Sequence, residues 1–156
     1  MKKQFVLFIA AIFTFAMVSS AYAAKKPECP QPRKTKSAPA STAKKDNTAK
    51  ANKANGKKIF NKTAKPMACK MCHGAKGDGT GKLGAAFKSP KAPRNFACKD
   101  TMKKVSAGQM FWIIKNGSKG TGMTKMKLKD KEIWDVIKYI REDLMKIGRA
   151  SCRERV

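Results

Sequence analysis

Apolar residues gather in a few short stretches of this chain, and lysine dominates most of the rest. Near the C-terminal end, Ile133, Val136, Ile137, Ile140 and Leu144 recur at helical spacing. They predict an amphipathic helix from about 131 to 145, with Asp130 as its cap. A second helix is predicted from about Ala107 to Lys115. Ser106 is its N-cap, Gln109 stands at the capping-box spacing, and Gly117 can end it. A third is predicted from about Ala51 to Thr63, with Ile59 and Phe60 as its apolar contacts. No run alternates in the way a strand requires, so the pattern predicts an all-α domain. The 32 residues between His73 and Ser106 are rich in Gly, Lys and Pro. So long an irregular stretch inside a compact domain argues that something besides the chain organises it.

The two ends read differently from the middle. Lys2 and Lys3 precede a near-apolar run from Phe5 to Val18, and Ala21-Tyr22-Ala23 follows. Residues 1–23 therefore read as a secretory signal peptide. The run is shorter than the roughly 20 residues of a spanning helix; if left uncleaved it would be a membrane anchor. Export places the mature protein in an oxidising compartment, expected to be the periplasm. At the other end, residues 147–156 break the amphipathic pattern abruptly. One choice of codons for them spells a common short-read sequencing adapter. They are expected to be an artefact, with Cys152 set aside.

Residues 24–55 hold nine Lys or Arg, two acids and no Val, Ile, Leu, Phe or Trp. Such a segment is expected to be a disordered basic linker. Residues 56–146, the expected domain, hold 22 Lys or Arg against 7 Asp or Glu, a net charge of +15. The whole 156-residue chain carries +26.

Cys69-Lys70-Met71-Cys72-His73 is the string that carries chemistry. Two cysteines three apart on a helical turn present both sulfurs to one side. They can form thioethers to the two vinyl groups of a haem, and His73, the only histidine in the chain, can supply an imidazole to the iron. Two other readings compete. A zinc site needs four ligands, and only distant Cys98 or Cys29 could complete one. A redox dithiol needs a strand before Cys69, and none is predicted.

With one histidine, the sixth iron ligand must come from elsewhere. Met123 lies in the glycine-rich Gly120-Thr121-Gly122-Met123 loop, outside any predicted helix, and is the first candidate. Met126 is the alternative. Met102 and Met110 read as core, while Met67 and Met71 lie too near the attachment turn. His/Met ligation favours iron(II) and raises the reduction potential relative to bis-histidine. A filled sixth position suppresses binding of oxygen or peroxide, so an electron carrier is expected and no substrate turnover.

These residues resemble the single-domain class I cytochrome c family over about Gly56 to Lys146. Gly56 and Phe60 match its first-helix contact, and Val136 and Tyr139 match the last helix that crosses it. Glu132-Ile133-Trp134 matches the opening of that helix. Gly77-Asp78-Gly79-Thr80-Gly81 and Ala92-Pro93-Arg94-Asn95-Phe96 resemble its haem-wrapping loops. The resemblance implies an all-α cytochrome c-like fold, with three or more helices around one covalently attached haem c. It implies attachment at Cys69 and Cys72, His73 as proximal ligand and Met123 as distal ligand. Two departures stand out. Thr124 follows Met123 where the family usually has proline, which keeps Met126 open and leaves Lys125 or Lys127 as a third option. The region near Lys82 lacks the proline that many members have after the attachment motif.

The basic surface is expected to meet acidic redox partner proteins, with Lys70, Lys76, Lys119, Lys125 and Lys127 near the haem-bearing segments. Weak contact with an anionic membrane also fits, whereas nothing in the pattern reads nucleic acid. The expected protein is a monomeric, periplasmic mono-haem carrier. The alternatives are a haem c subunit of a larger exported oxidoreductase and a non-haem metal or interaction module. Cys29 and Cys98 are left either as a disulfide or as free or intermolecular thiols.

Overall fold

A computed structural model of the chain describes residues 28–32 and 35–146. The expected signal peptide and the expected artefact at 147–156 lie outside these described residues. Among the described residues there are six α-helices and no strand, as the periodicity predicts. They are α1 (Ala40–Ala43), α2 (Lys53–Lys58), α3 (Lys70–His73), α4 (Lys99–Met102), α5 (Ala107–Asn116) and α6 (Asp130–Tyr139). Helices α2 and α6 each continue through a π-helical turn, Ile59–Thr63 and Ile140–Leu144. None of these helices is long and apolar enough to cross a membrane.

The core forms where α6 crosses α2. Ile133, Val136 and Ile137 on α6 meet Ile59 and Phe60, and all five are buried. The crossing is close because Gly56 has no side chain. A Cβ there would overlap the Asp135 carbonyl. Phe60 packs edge-on against Tyr139 at 5.4 Å between ring centroids. Helix α5 packs on α6 through the stacked rings of Phe111 and Trp134, 4.6 Å apart.

The caps follow the sequence only in part. Ser106 does cap α5, its Oγ accepting from Gln109 N at 3.1 Å. Gln109 does not close the box, however. Its side-chain amide donates to Lys36 O and accepts from Ala38 N. Helix α6 begins one residue earlier than expected. Asp130 is its first residue, and Lys129 at the cap position donates its N–H to Glu132 Oε2 at 2.7 Å.

Asp135 is a buried carboxylate that ties the two main helices together. It accepts from Asn52 N at 2.6 Å and Asn55 Nδ2 at 2.8 Å, and pairs with Lys131 at 3.4 Å. Burial pushes its pKa up, but these hydrogen bonds and Lys131 outweigh burial and leave it below the usual aspartate value of 3.8. A carboxylate with a lowered folded pKa gives stability that is present above its unfolded pKa and lost as pH falls through the folded one. Asp135→Asn is therefore expected to flatten the acid limb of stability below pH 3.8 and to cost about 1–3 kcal/mol at neutral pH. Urea unfolding followed between pH ~3 and ~7 checks both.

The expectation of a disordered linker over 24–55 is corrected for the described residues 28–32 and 35–55. Cys29 is bonded to Cys98, with Cα atoms 5.5 Å apart. Gln31 is hydrogen-bonded to Pro93, Asn95 and Thr101. Helix α1 rests on α5, where Ser106 Oγ donates to Ala43 O at 2.7 Å. The segment has almost no apolar surface of its own, as read. What orders it is one covalent bond and polar groups offered by the domain. The domain's expected start at residue 56 also moves back, since α2 begins at Lys53.

Candidate haem site

The attachment motif folds as one helical turn. His73 N bonds to Cys69 O at 2.9 Å, which places both cysteines and the histidine on α3 and its first flanking residue. The turn ends at Gly74, whose φ of 77° lets the chain reverse. All three residues line a single deep cavity with mostly apolar walls. Phe60, Met102, Met110, Ile114 and Ile140 contribute to those walls from the core side.

His73 is fixed from two directions. Its Nδ1 lies 3.0 Å from Arg94 O, and its ring stacks on Phe96 at 4.6 Å. A carbonyl can only accept, so Nδ1 carries the proton and Nε2 is the nitrogen left for a metal. Burial lowers the His73 pKa, which keeps the imidazole in the neutral form that ligation needs. The residues that fix His73 come from Ala92-Pro93-Arg94-Asn95-Phe96, not from the region near Lys82. That loop was legible as a haem-wrapping segment, but its direct hold on His73 was not.

The cysteines of the described residues divide into two pairs. Cys29 and Cys98 form the disulfide, while Cys69 and Cys72 remain thiols on the cavity wall. Burial pushes the Cys69 thiol up to about 12 and also raises Cys72. A nucleophilic redox dithiol needs the opposite shift. No strand precedes Cys69, and no group of three His, Cys, Asp or Glu placed to hold a metal occurs among the described residues. The donor set fits a haem: two neutral thiols for its vinyl groups, one oriented imidazole and an apolar cavity.

The structure brings both candidate methionines to this cavity. Met123 and Met126 each line it and are half-buried against the core. They sit in a loop whose backbone is tied at several points. Ser118 N donates to Met123 O at 2.8 Å, Met126 N to Ile114 O at 3.0 Å and Lys127 N to Lys65 O at 2.9 Å. Met102 and Met110 are buried core residues, as expected, although both also touch the cavity. Met67 stands exposed at its edge.

The family model for cytochrome c matches residues 53–142. The chain belongs to the cytochrome c family. The match takes in the attachment motif, the histidine-fixing loop, both candidate methionines and the crossing of α2 with α6. Cytochrome c membership means haem-based electron transfer, with haem c bound covalently. Among solved structures, this cytochrome c is similar to a chain of the Kuenenia stuttgartiensis reducing HAO-like protein complex. The identity is 27% and the TM-score 0.47, over 56% of this chain and 41% of that one. The protein thus spans less than half the length of that chain. No curated protein matches it as a relative.

Proposed function

We propose that this cytochrome c is an exported, periplasmic carrier of single electrons, holding one haem c between His73 and Met123. The observation that carries the reading is the set around α3. An imidazole already oriented by Arg94 O stands beside two reduced thiols on the wall of an apolar cavity. One attachment motif and one histidine limit the chain to a single such haem.

Haem supplies the one-electron iron(III)/iron(II) couple. The chain does the rest. Cys69 and Cys72 fix the group covalently, and His73 offers Nε2. The apolar wall keeps water away and disfavours extra positive charge, which raises the potential. Methionine sulfur adds to that effect. The chain is then a carrier without substrate turnover of its own.

Met123 is the preferred ligand because its glycine-flanked loop leaves the side chain free of helical constraint. Met123→Ala is expected to abolish the weak near-infrared band of methionine-bound iron(III), and Met126→Ala to leave it in place. The reverse pattern would assign Met126.

The partners expected are acidic redox proteins. Lys76, Lys119, Lys125 and Lys127 are exposed on segments that bound the cavity, with Lys70 half-buried beside them. Such exposed cations speed encounter with a negative partner at low salt.

A further inference from the structure

The N-terminal segment does more than rest on the domain. The Gln31 side chain spans the backbone on either side of the carbonyl that holds His73. Its Nε2 donates to Pro93 O at 2.9 Å, and its Oε1 accepts from Asn95 N at 2.9 Å. Between these two lies Arg94, whose carbonyl receives the His73 Nδ1 proton. The loop here has no regular secondary structure to hold it. Its own backbone bonds nearby are Phe96 N to Gly77 O at 2.7 Å and a long Cys98 N to Asn95 O at 3.4 Å. An amide side chain, which both donates and accepts, can act here as a short strand would, pinning two peptide groups at once.

Gln31 is itself held in place. Its backbone N–H donates to Thr101 Oγ1 at 2.9 Å, and Cys29, two residues earlier, is bonded to Cys98. Asn95 Nδ2 also reaches Glu28 O at 3.3 Å. The clamp is thus anchored on the C-terminal side of the loop it grips, at Asn95, Cys98 and Thr101. Glu28 and Gln31 line the same cavity as His73.

We propose that Gln31, staked by the Cys29–Cys98 disulfide, is a positioning residue for the iron ligand. It fixes the Arg94 carbonyl against His73 Nδ1 and so tunes the imidazole. The inference rests on His73 ligating a haem. A firm hydrogen bond from a ligating histidine fixes its ring and raises its basicity. A more basic ligand favours iron(III). Loosening the Arg94 carbonyl weakens that effect, so the potential should rise.

The test uses the haem-loaded full chain and two variants, Gln31→Ala and Gln31→Met. Methionine keeps the length and bulk of the side chain and removes both hydrogen bonds. The readouts are exchange of the His73 Nδ1 proton by NMR and the midpoint potential. Both variants are expected to speed the exchange by about tenfold or more and to raise the potential. The Cys29→Ser, Cys98→Ser double variant is expected to shift both in the same direction. If Gln31→Met matches the wild type in exchange and potential, the clamp is only packing and the proposal fails. A potential that falls while exchange stays unchanged would mean water entry, and would overturn it equally. Attached haem is read separately from mass and visible absorption. Its absence from the wild type would refute the function, whereas its presence with an indifferent His73 would refute only the role of Gln31.

Discussion

A chain with Cys69 and Cys72 both changed to alanine is expected to carry no covalent haem and to lose most of its helical circular dichroism. The physical reason lies in how the core is built. Phe60, Met102, Met110, Ile114, Val136 and Ile140 are counted among the buried core, yet all six also line the cavity. Their packing is one-sided unless the cavity is filled by something apolar. A domain of about 90 residues has little core to spare. Conformational entropy opposes folding at roughly 1–2 kcal/mol per residue, so losing the group that fills the centre should tip the balance. Far-ultraviolet dichroism of the double variant, set against the haem-loaded wild type, is the check. Native helix content in the variant would show that the polypeptide core is sufficient by itself.

Gly56→Ala is expected to destabilise the haem-loaded protein by about 3 kcal/mol, the upper part of the range for overpacking a core. One methyl group is added, but it has nowhere to go. The new Cβ would overlap the carbonyl of Asp135 and come within 2.9 Å of Val136 N. These are backbone atoms inside a helix and cannot rotate aside. Helices α2 and α6 must move apart, which loosens the Phe60–Tyr139 contact and pulls on the Asp135 bonds to Asn52 and Asn55. For a domain this size the midpoint of thermal unfolding should fall by more than ~10 °C. A midpoint within a degree or two of wild type would mean that the helices do not cross this closely.

The three main helices were legible from local signals: the last from its period, α5 from its Ser106 cap and Gly117 end, and the first from Ile59 and Phe60. Ile133, Val136, Ile137 and Ile140 mark one face, and all four are buried. The attachment turn was legible because its chemistry is local: five consecutive residues hold both sulfurs and the imidazole. What escaped the sequence is whatever depends on distant polar pairing. Nothing in the spacing shows that Arg94 O, 21 residues away, would hold His73, or that Gln31 would hold the residues on either side of it. The same blindness made the described residues 28–32 and 35–55 look disordered. Composition reports what a segment can bury, not the bonds that a neighbouring surface offers. The choice between Met123 and Met126 stayed open for another reason. Both lie in one loop, three residues apart, and both reach the cavity.

Ligation, folding and electron transfer all depend on one haem being bonded to Cys69 and Cys72. The direct measurement is the intact mass of the mature protein, produced alongside a working haem-ligation system, with its visible spectrum taken before and after dithionite. The expected result is the polypeptide mass plus one haem that survives denaturation, with the sharp reduced bands of a six-coordinate haem c. A colourless protein at the mass of the polypeptide alone would contradict the account.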